Sequence, residues 1–334
     1  MTNLTLRQLR YVGALAEHGH FGRAASACAV SQPALSVQIK ELEESLGVAL
    51  FERGARQVRL TALGEEVAAR AREILCAVDE IGDLARAARD RLVGRLRVGV
   101  IPTVAPYLLP SVVSALAAQH RGLDLHVRET LTPRLIQELH DGRIDTAILA
   151  LPVSEPGLAE TALFTERFVL VRPGPAAQTP VPSAADLRGQ RLLLLEEGHC
   201  FRDQALAYCG MTSALPRDGL DGSSLSTLVQ MVGAGLGVTL IPQMAVAVET
   251  RSADVSIDRF PVPEPTRTIG MVWRRTTPLA PQLAEIAAVV AQAAAAQREA
   301  GALFATGADP FAVPAKPVPT KPGAAKPSSA ADQG

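Results

Sequence analysis

An imbalance of charge, long apolar runs and clustered cysteines are all missing from this sequence of 334 residues. The formal net charge is -1, so binding to a polyanion such as DNA would need a local surface rather than bulk charge. The chain does not start with the basic and apolar pattern of a secretory signal, and no apolar run reaches the roughly 20 residues of a membrane span. We therefore expect a cytoplasmic protein with no membrane partner.

Cysteine occurs only at Cys28, Cys76, Cys200 and Cys209, which is too few and too scattered for a secreted disulfide scaffold. Neither the cysteines nor the six histidines show metal-ligand spacing. The glycine-rich run at 233–237 follows a predicted helix and precedes a predicted strand, the reverse of the order in dinucleotide-binding folds. The sequence thus predicts neither a metal nor an organic cofactor.

What is present is an apolar content of 48%, enough for a large core and two or three domains. Residues 4–92 show a helical pattern, and after a boundary near Gly94 short β-rich runs alternate with helical stretches, as in an α/β fold. Because the strand candidates are continuously apolar, we predict a mostly parallel sheet or sheets. The candidates are 96–101, 123–129, 146–151, 168–172, 191–195, 238–241 and 268–273.

Residues typical of helix caps mark the predicted starts of several helices. Thr132, Ser183 and Ser223 stand where a side-chain oxygen could cap a following helix. Beyond about Ala305 the chain turns to Pro, Ala, Lys, Gly and Ser, which predicts a disordered tail.

The N-terminal segment predicts three helices, at 4–18, 21–28 and from Ser31 to about Leu46. On the third helix an apolar face is predicted to be buried, and a polar face and the arginines that follow are candidates for DNA contact. The apolar face comprises Leu35, Ile39, Leu42 and Leu46, and the DNA candidates are Gln32, Pro33, Ser36, Gln38, Lys40, Arg53, Arg56 and Arg59. By periodicity alone, a small helical domain with a solvated polar face explains the pattern as well.

Cys200 lies in a loop with basic and polar neighbours, an environment that favours a reactive thiolate. If residues 200–209 form a helix, the two cysteine Cα atoms lie about 13.5 Å apart and on opposite faces. A disulfide needs less than about 7 Å, so joining them requires local refolding. The alternative is an incidental loop thiol at Cys200 and a core residue at Cys209.

The N-terminal run closely resembles the DNA-binding segment of LysR-type transcription regulators, with FGRAA, SQPALS, IKELEESLG, LFER and LTALGE as its most specific blocks. The resemblance implies an α/β protein with a winged helix-turn-helix, a long linker helix, and a two-lobed sensor like the periplasmic binding proteins. The implied ranges are 1–60 for the head, 61–93 for the linker, 94–163 with 268–304 for lobe I, 164–267 for lobe II, and 305–334 for the tail. It also implies dimers and tetramers, with the linker helix as a dimer interface.

The segment EEGHCFRDQALAYC resembles the redox motif of the peroxide-sensing members of that family, as do GVIPTVAPYLLP and PEPTRTIGMVWR. This implies a peroxidatic Cys200 and a resolving Cys209. It further implies a peroxide pocket with Thr103 and Thr132, with His199 and Asp203 orienting peroxide and assisting proton transfer. Arg267 is implied to favour the thiolate. From the residues alone, Arg267 could instead be a surface charge beside Glu264, and Thr132 a helix cap.

The partners implied are double-stranded promoter DNA, hydrogen peroxide, RNA polymerase and a thiol reductant such as glutaredoxin or thioredoxin. The implied function is redox-controlled activation of antioxidant genes, without enzymatic turnover. Two alternatives remain: a LysR-type regulator that binds a small organic effector between the lobes, and a thiol peroxidase that uses the same cysteines.

Overall fold

The computed structural model describes residues 4–53, 58–87, 93–174, 180–211 and 221–305. Its N-terminal head consists of helices α1 (Leu6–His18), α2 (Phe21–Ala27) and α3 (Gln32–Leu46), followed by an antiparallel pair of strands, β1 (Phe51–Arg53) and β2 (Val58–Leu60). The predicted apolar face of α3 is buried at Leu35, Ile39 and Leu42, whereas Leu46 is half-buried. The hydroxyl of Ser31 accepts a hydrogen bond from the Ala34 amide, so the predicted cap of α3 is confirmed.

A single long helix, α4 (Ala62–Ala87), follows the head and packs against α1. Ala68 and Ala71 are buried, but several large apolar side chains of α4 are exposed to solvent. The exposed ones are Leu63, Ile74, Ile81 and Leu84. The predicted linker helix is therefore present with an apolar stripe that nothing in the described residues of this chain covers.

The remainder of the described chain is organised around one seven-stranded sheet in the order β4-β3-β5-β9-β6-β7, with β8 also paired to β6. Only the β3–β4 and β3–β5 pairs are parallel, and the pairs that β6 and β9 make are antiparallel. The strands are β3 (Gly94–Val100), β4 (Leu123–Glu129), β5 (Thr146–Leu151), β6 (Leu158–Pro173), β7 (Thr239–Pro242), β8 (Val255–Arg259) and β9 (Thr266–Arg274).

The prediction of a mostly parallel sheet is therefore wrong. Apolar continuity reports that both faces of a strand are covered, and it carries no information on strand direction. The strand directions are set here by β6 and β9, which pair antiparallel. Strand β6 carries the chain away from the β3–β5 part of the sheet, and β9 brings it back. The predicted strand at 191–195 is also wrong: this segment makes only isolated bridges, Leu192 to Val238 and Leu195 to Gly222.

The helices of this region are α5 (Ala105–Gln119), α6 (Thr132–His140), α7 (Ala184–Leu187), α8 (Cys200–Tyr208), α9 (Leu225–Gly233), α10 (Val246–Glu249) and α11 (Ala280–Ala305). Ser183 caps α7 as predicted, but α9 is capped by Ser224 instead of Ser223. Thr132 is not a cap either, because it is already the first helical residue and Leu131 holds the cap position without a side-chain bond.

Two separate hydrophobic clusters fill this region, and we call the parts built around them lobe I and lobe II. The cluster of lobe I includes Leu108, Leu149 and Met271, and that of lobe II includes Phe201 and Ile241. Strands β6 and β9 pass between the two, and β6 has a bulge between Ala162 and Phe164, at the crossing point predicted near Leu163.

One hydrogen bond ties the lobes together away from the strands. The hydroxyl of Tyr107 on α5 donates to Oε1 of Glu249 on α10 at 2.6 Å, and the Tyr107 side chain is buried in the lobe II cluster. Burial and this carboxylate raise the pKa of Tyr107, so the phenol remains a donor at physiological pH.

Among the residues described, no helix is both long and apolar enough to cross a membrane. The predicted disordered tail lies, from residue 306 onward, outside the described residues.

Candidate functional site

The thiol of Cys200 stands at the start of a helix. Cys200 was predicted in a loop but is the first residue of α8, at the positive end of the helix dipole. The side chain is half-buried and packs against the lobe I cluster. Position and partial exposure together make Cys200 suited to react with a small oxidant.

The polar neighbours of Cys200 point in different directions. His199 is buried, and burial lowers its pKa, so the imidazole is neutral at pH 7 and can donate or accept a hydrogen bond. Arg202 donates to the Leu195 carbonyl at 2.6 Å and pairs with Asp221 at 3.1 Å, so its charge is engaged away from the thiol. Asp203 is exposed to solvent.

The two predicted pocket threonines lie at the same edge of the sheet. Thr103 follows β3 and Thr132 follows β4, and these strands are parallel neighbours whose ends are in register at Val100 and Glu129. The buried Oγ1 atom of Thr132 has no hydrogen-bond partner within the described part of the chain. A buried unpaired hydroxyl is costly in an empty site, and it is explained if a small polar ligand binds there.

The loop before Cys200 closes onto the segment before Thr132. Gly198 has φ +92°, a conformation that side chains disfavour, and a Cβ at this position would lie 3.0 Å from Cδ1 of Leu131. Glycine thus allows the approach that places the start of α8 beside the start of α6.

Arg267 is almost fully buried, at 3% exposure, and it joins three parts of the structure. It donates from Nε to Oε1 of Glu166 at 2.8 Å and from Nη1 to Oγ1 of Thr103 at 2.8 Å, and its guanidinium lies 5.4 Å from the centroid of the Phe201 ring. The alternative of a surface charge beside Glu264 is wrong, since Glu264 pairs with Arg167 instead. The Glu166 carboxylate compensates the charge of Arg267, so the pair offers fixed geometry more than net positive charge.

Cys209 lies at the other end of α8 and in a different environment. It is the C-terminal cap residue, fully buried in the lobe II cluster, and burial raises the pKa of its thiol despite the opposing charge of Arg188. Cys209 is therefore held as a protonated thiol while α8 is intact. Nine helical steps of 1.5 Å separate the Cα atoms of Cys200 and Cys209 by about 13.5 Å, well beyond disulfide reach.

The surroundings of the other two cysteines indicate unreactive thiols. Cys76 is buried on α4 and Cys28 is half-buried at the end of α2, and burial raises the pKa of both thiols.

In the head, the polar face of α3 is present with one addition. Gln32, Pro33 and Lys40 are exposed, whereas Ser36 and Gln38 are half-buried. Val37 is 52% exposed between them and was missed by sequence reasoning, which assigned only polar residues to this face. Arg53 ends β1, Arg59 is exposed on β2, and Arg56 lies outside the described residues.

Glu166 was not predicted from the sequence, and Gln204 belongs to the polar neighbours predicted around Cys200. The buried Oε1 of Gln204 on α8 lacks a hydrogen-bond partner among the described residues, and the motif around Cys200 was a signal for it. Glu166 had no such signal, because residues 158–167 mix apolar and polar types and were not predicted as a strand.

Comparison with known proteins agrees with this arrangement. Residues 6–65 match the bacterial regulatory helix-turn-helix protein family of lysR type, and residues 89–295 match the LysR substrate binding domain. A probable hydrogen peroxide-inducible genes activator of Streptomyces viridosporus is 46% identical over 294 residues, covering 86% of this chain and 94% of that protein. The DNA-binding transcriptional dual regulator OxyR of Escherichia coli is 40% identical over 289 residues, with coverages of 86% and 95%.

Solved structures give the same result. A full-length OxyR from Pseudomonas aeruginosa superposes with a TM-score of 0.69 at 38% identity, covering 87% of this chain and 96% of that one. A hydrogen peroxide-bound cysteine mutant of Corynebacterium glutamicum OxyR superposes with a TM-score of 0.60 at 36% identity, with coverages of 91% and 95%. The chain therefore belongs to the LysR family of transcription regulators, as an OxyR-like member that senses peroxide.

Proposed function

We propose that Cys200 is the peroxide-reactive residue and that Cys209 completes a disulfide switch that changes how the protein binds DNA. The observation that carries this proposal is the contrast between the two ends of α8. One end presents a half-buried thiol at a helix N-terminus, two residues after the Gly198 that contacts Leu131, and the other buries a protonated thiol.

In the first step the Cys200 thiolate attacks one peroxide oxygen, the O–O bond breaks, and the leaving hydroxide takes up a proton to become water. The sulfur is oxidised to sulfenic acid. Thr103 and Thr132 provide hydroxyls at the sheet edge, and the neutral imidazole of His199 can hydrogen-bond peroxide or the departing oxygen. Since Asp203 is exposed, its proposed part in proton transfer requires it to turn toward the site.

In the second step the Cys209 sulfur attacks the sulfenic sulfur, forming the disulfide and releasing water. Because α8 holds the two residues about 13.5 Å apart, this step requires the helix to open. Opening removes Phe201 and Leu206 from the lobe II cluster and takes Phe201 away from Arg267. The two lobes then repack, which is how oxidation would reach the rest of the regulator.

For DNA we propose that α3 enters the major groove. Gln32 and Gln38 would read base edges, Ser36 and Lys40 would hold phosphates, and Pro33 would set the start of the helix. Arg53 at the end of β1, and Arg56 after it in the sequence, would contact the DNA backbone or the minor groove.

We also propose that the exposed stripe of α4 forms the dimer interface. Ile74, Ile81 and Leu84 are spaced by seven and three residues, the pattern of a two-stranded coiled-coil seam, and Ile81 and Leu84 are 65% and 59% exposed in the single chain. The predicted ranges 1–60, 61–93, 94–304 and 305–334 then act as head, dimer helix, sensor and tail, and dimers pair into tetramers.

The remaining partners follow from this cycle. A cytoplasmic thiol reductant such as glutaredoxin or thioredoxin would return two electrons to the disulfide, and the DNA-bound form would act on RNA polymerase to activate antioxidant genes. Since the disulfide is a signal rather than a turnover intermediate, we propose that the protein is not an enzyme.

The disulfide switch predicts specific thiol chemistry. Reduced protein treated with one equivalent of peroxide should form a Cys200–Cys209 disulfide, detected by blocking free thiols and mapping peptides by mass, and its operator footprint should change. Cys200→Ser should form neither the sulfenic acid nor the disulfide, and Cys209→Ser should stop at the sulfenic acid. Cys76→Ser is the matched control and should behave as wild type. A changed footprint in Cys200→Ser would contradict the proposal.

The DNA proposal predicts two distinct losses. Gln32→Ala should weaken binding to the operator by about 1 to 3 kcal/mol with little effect on unrelated DNA, because a base contact is lost. Lys40→Ala should weaken binding to all duplexes and lower the salt slope by about one. Arg70→Ala, which removes a positive charge from α4, is the control; a salt slope that drops for Arg70→Ala and not for Lys40→Ala would refute the assignment.

The dimer proposal predicts dissociation on adding charge to the stripe. Leu84→Glu should raise the dimer dissociation constant at least about tenfold, because burying a leucine contributes roughly 1.5 to 3 kcal/mol. Val262→Glu also replaces an apolar side chain with glutamate, at a position outside α4 that is 90% exposed, and should leave the assembly intact. Unchanged sedimentation of Leu84→Glu would show that the stripe is not the interface.

A further inference from the structure

Glu166 is a buried carboxylate that takes no direct part in the proposed attack of Cys200 on peroxide. It lies on β6 directly opposite Arg267 on β9, and both side chains are almost completely buried. Arg267 donates to Oε1 of Glu166 from Nε at 2.8 Å, and its Nη2 lies 2.7 Å from the same oxygen. The pair thus sits on the two strands that connect the lobes.

The Arg267 guanidinium also donates two hydrogen bonds to Thr103. Nη1 donates to the Thr103 hydroxyl oxygen at 2.8 Å, and Nη2 donates to the Thr103 carbonyl at 3.1 Å. Arginine only donates hydrogen bonds and remains charged at any physiological pH. The Thr103 hydroxyl must therefore accept from Arg267, and its own proton is left to point elsewhere.

The second carboxylate oxygen of Glu166 faces lobe II, where Oε2 accepts from the Met244 amide at 3.4 Å. The face of the Arg267 guanidinium is covered by Phe201, the residue that follows Cys200. Glu166 consequently holds the Arg267 guanidinium in one orientation relative to both lobes. The guanidinium in turn determines the direction in which the Thr103 hydroxyl proton points.

We infer that Glu166 is a positioning residue for the reaction of Cys200 with peroxide. It holds Arg267 so that the Thr103 hydroxyl is oriented to donate to a peroxide oxygen, and it also balances the buried positive charge. The inference rests on the proposed function, in which peroxide binds beside Thr103 and Cys200. The geometry makes Glu166 act through Arg267 and Thr103, without touching peroxide itself.

The test is a double-mutant cycle in the full-length reduced protein, with the second-order rate constant for sulfenic acid formation at Cys200 as the readout. The cycle is made in a Cys209→Ser background so that the sulfenic acid accumulates. Glu166→Gln keeps the side-chain shape but loses the charge and the acceptor for the Met244 amide. We expect Glu166→Gln and Thr103→Val each to slow the reaction about tenfold, equivalent to about 1.4 kcal/mol in the barrier, and the double variant to be no slower than Thr103→Val.

Glu264→Gln is the matched control, because Glu264 pairs with Arg167 on the same two-strand connection but its partner is half-exposed. It should react at the background rate. A Glu166→Gln rate equal to the background rate, or a Glu166→Gln effect that is the same with and without Thr103→Val, would overturn the inference while leaving the proposed function intact. A background protein that forms no sulfenic acid at Cys200 would overturn the proposed function itself.

A second variant covers the case in which Glu166→Gln does not fold, since it leaves Arg267 buried without a countercharge. The neutral pair Glu166→Gln with Arg267→Gln removes both charges, so we expect it to fold and to react as slowly as Thr103→Val. Reaction of the folded neutral pair at the background rate would also overturn the inference.

Discussion

An intact helix between two thiols is the constraint on which the rest of this structure depends. Helix α8 keeps Cys200 at the edge of lobe I and Cys209 inside lobe II, so neither can reach the other without loss of helical hydrogen bonds. The same helix gives the two sulfurs different surroundings, because Cys200 is half-buried at its N-terminus while burial raises the pKa of Cys209 at its C-terminus. A helix of nine residues therefore holds apart the two thiols that we propose for sensing and for resolution.

The surrounding structure couples that helix to the whole regulatory region. Phe201 belongs to the lobe II cluster and also covers Arg267, which is bound to Thr103 in lobe I and to Glu166 on a connecting strand. Tyr107 and Glu249 tie the lobes at a second place. A change in α8 thus alters contacts on both sides of strands β6 and β9. A local reaction at α8 can therefore change how the two lobes pack against each other.

Much of this arrangement could be predicted from the sequence, and the failures have physical causes. The α3 face was predicted because amphipathic periodicity and the Ser31 cap are local signals, whereas the long linker helix was predicted from the family resemblance. Helix α8 was predicted only in part, because Cys200 was placed in a loop and is the first residue of the helix. Sheet direction was not, since it depends on how β9 returns beside β5 and β6. Thr132 looked like a cap because it precedes a proline, yet the helix starts one residue earlier and leaves the hydroxyl free. Glu166 was invisible because its role comes from pairing with a residue 101 positions away.

We propose that oxidation opens α8, and amide hydrogen exchange reports directly whether the helix is open. Exchange is compared between reduced protein, oxidised protein with a verified Cys200–Cys209 disulfide, and peroxide-treated Cys209→Ser, in which sulfenic acid forms without a bridge. Opening of α8 predicts that the amides of residues 204–209, which are the ones with helical acceptors, are protected in the reduced protein and in Cys209→Ser and lose protection only in the disulfide form. Full protection of these amides in the disulfide form would contradict it.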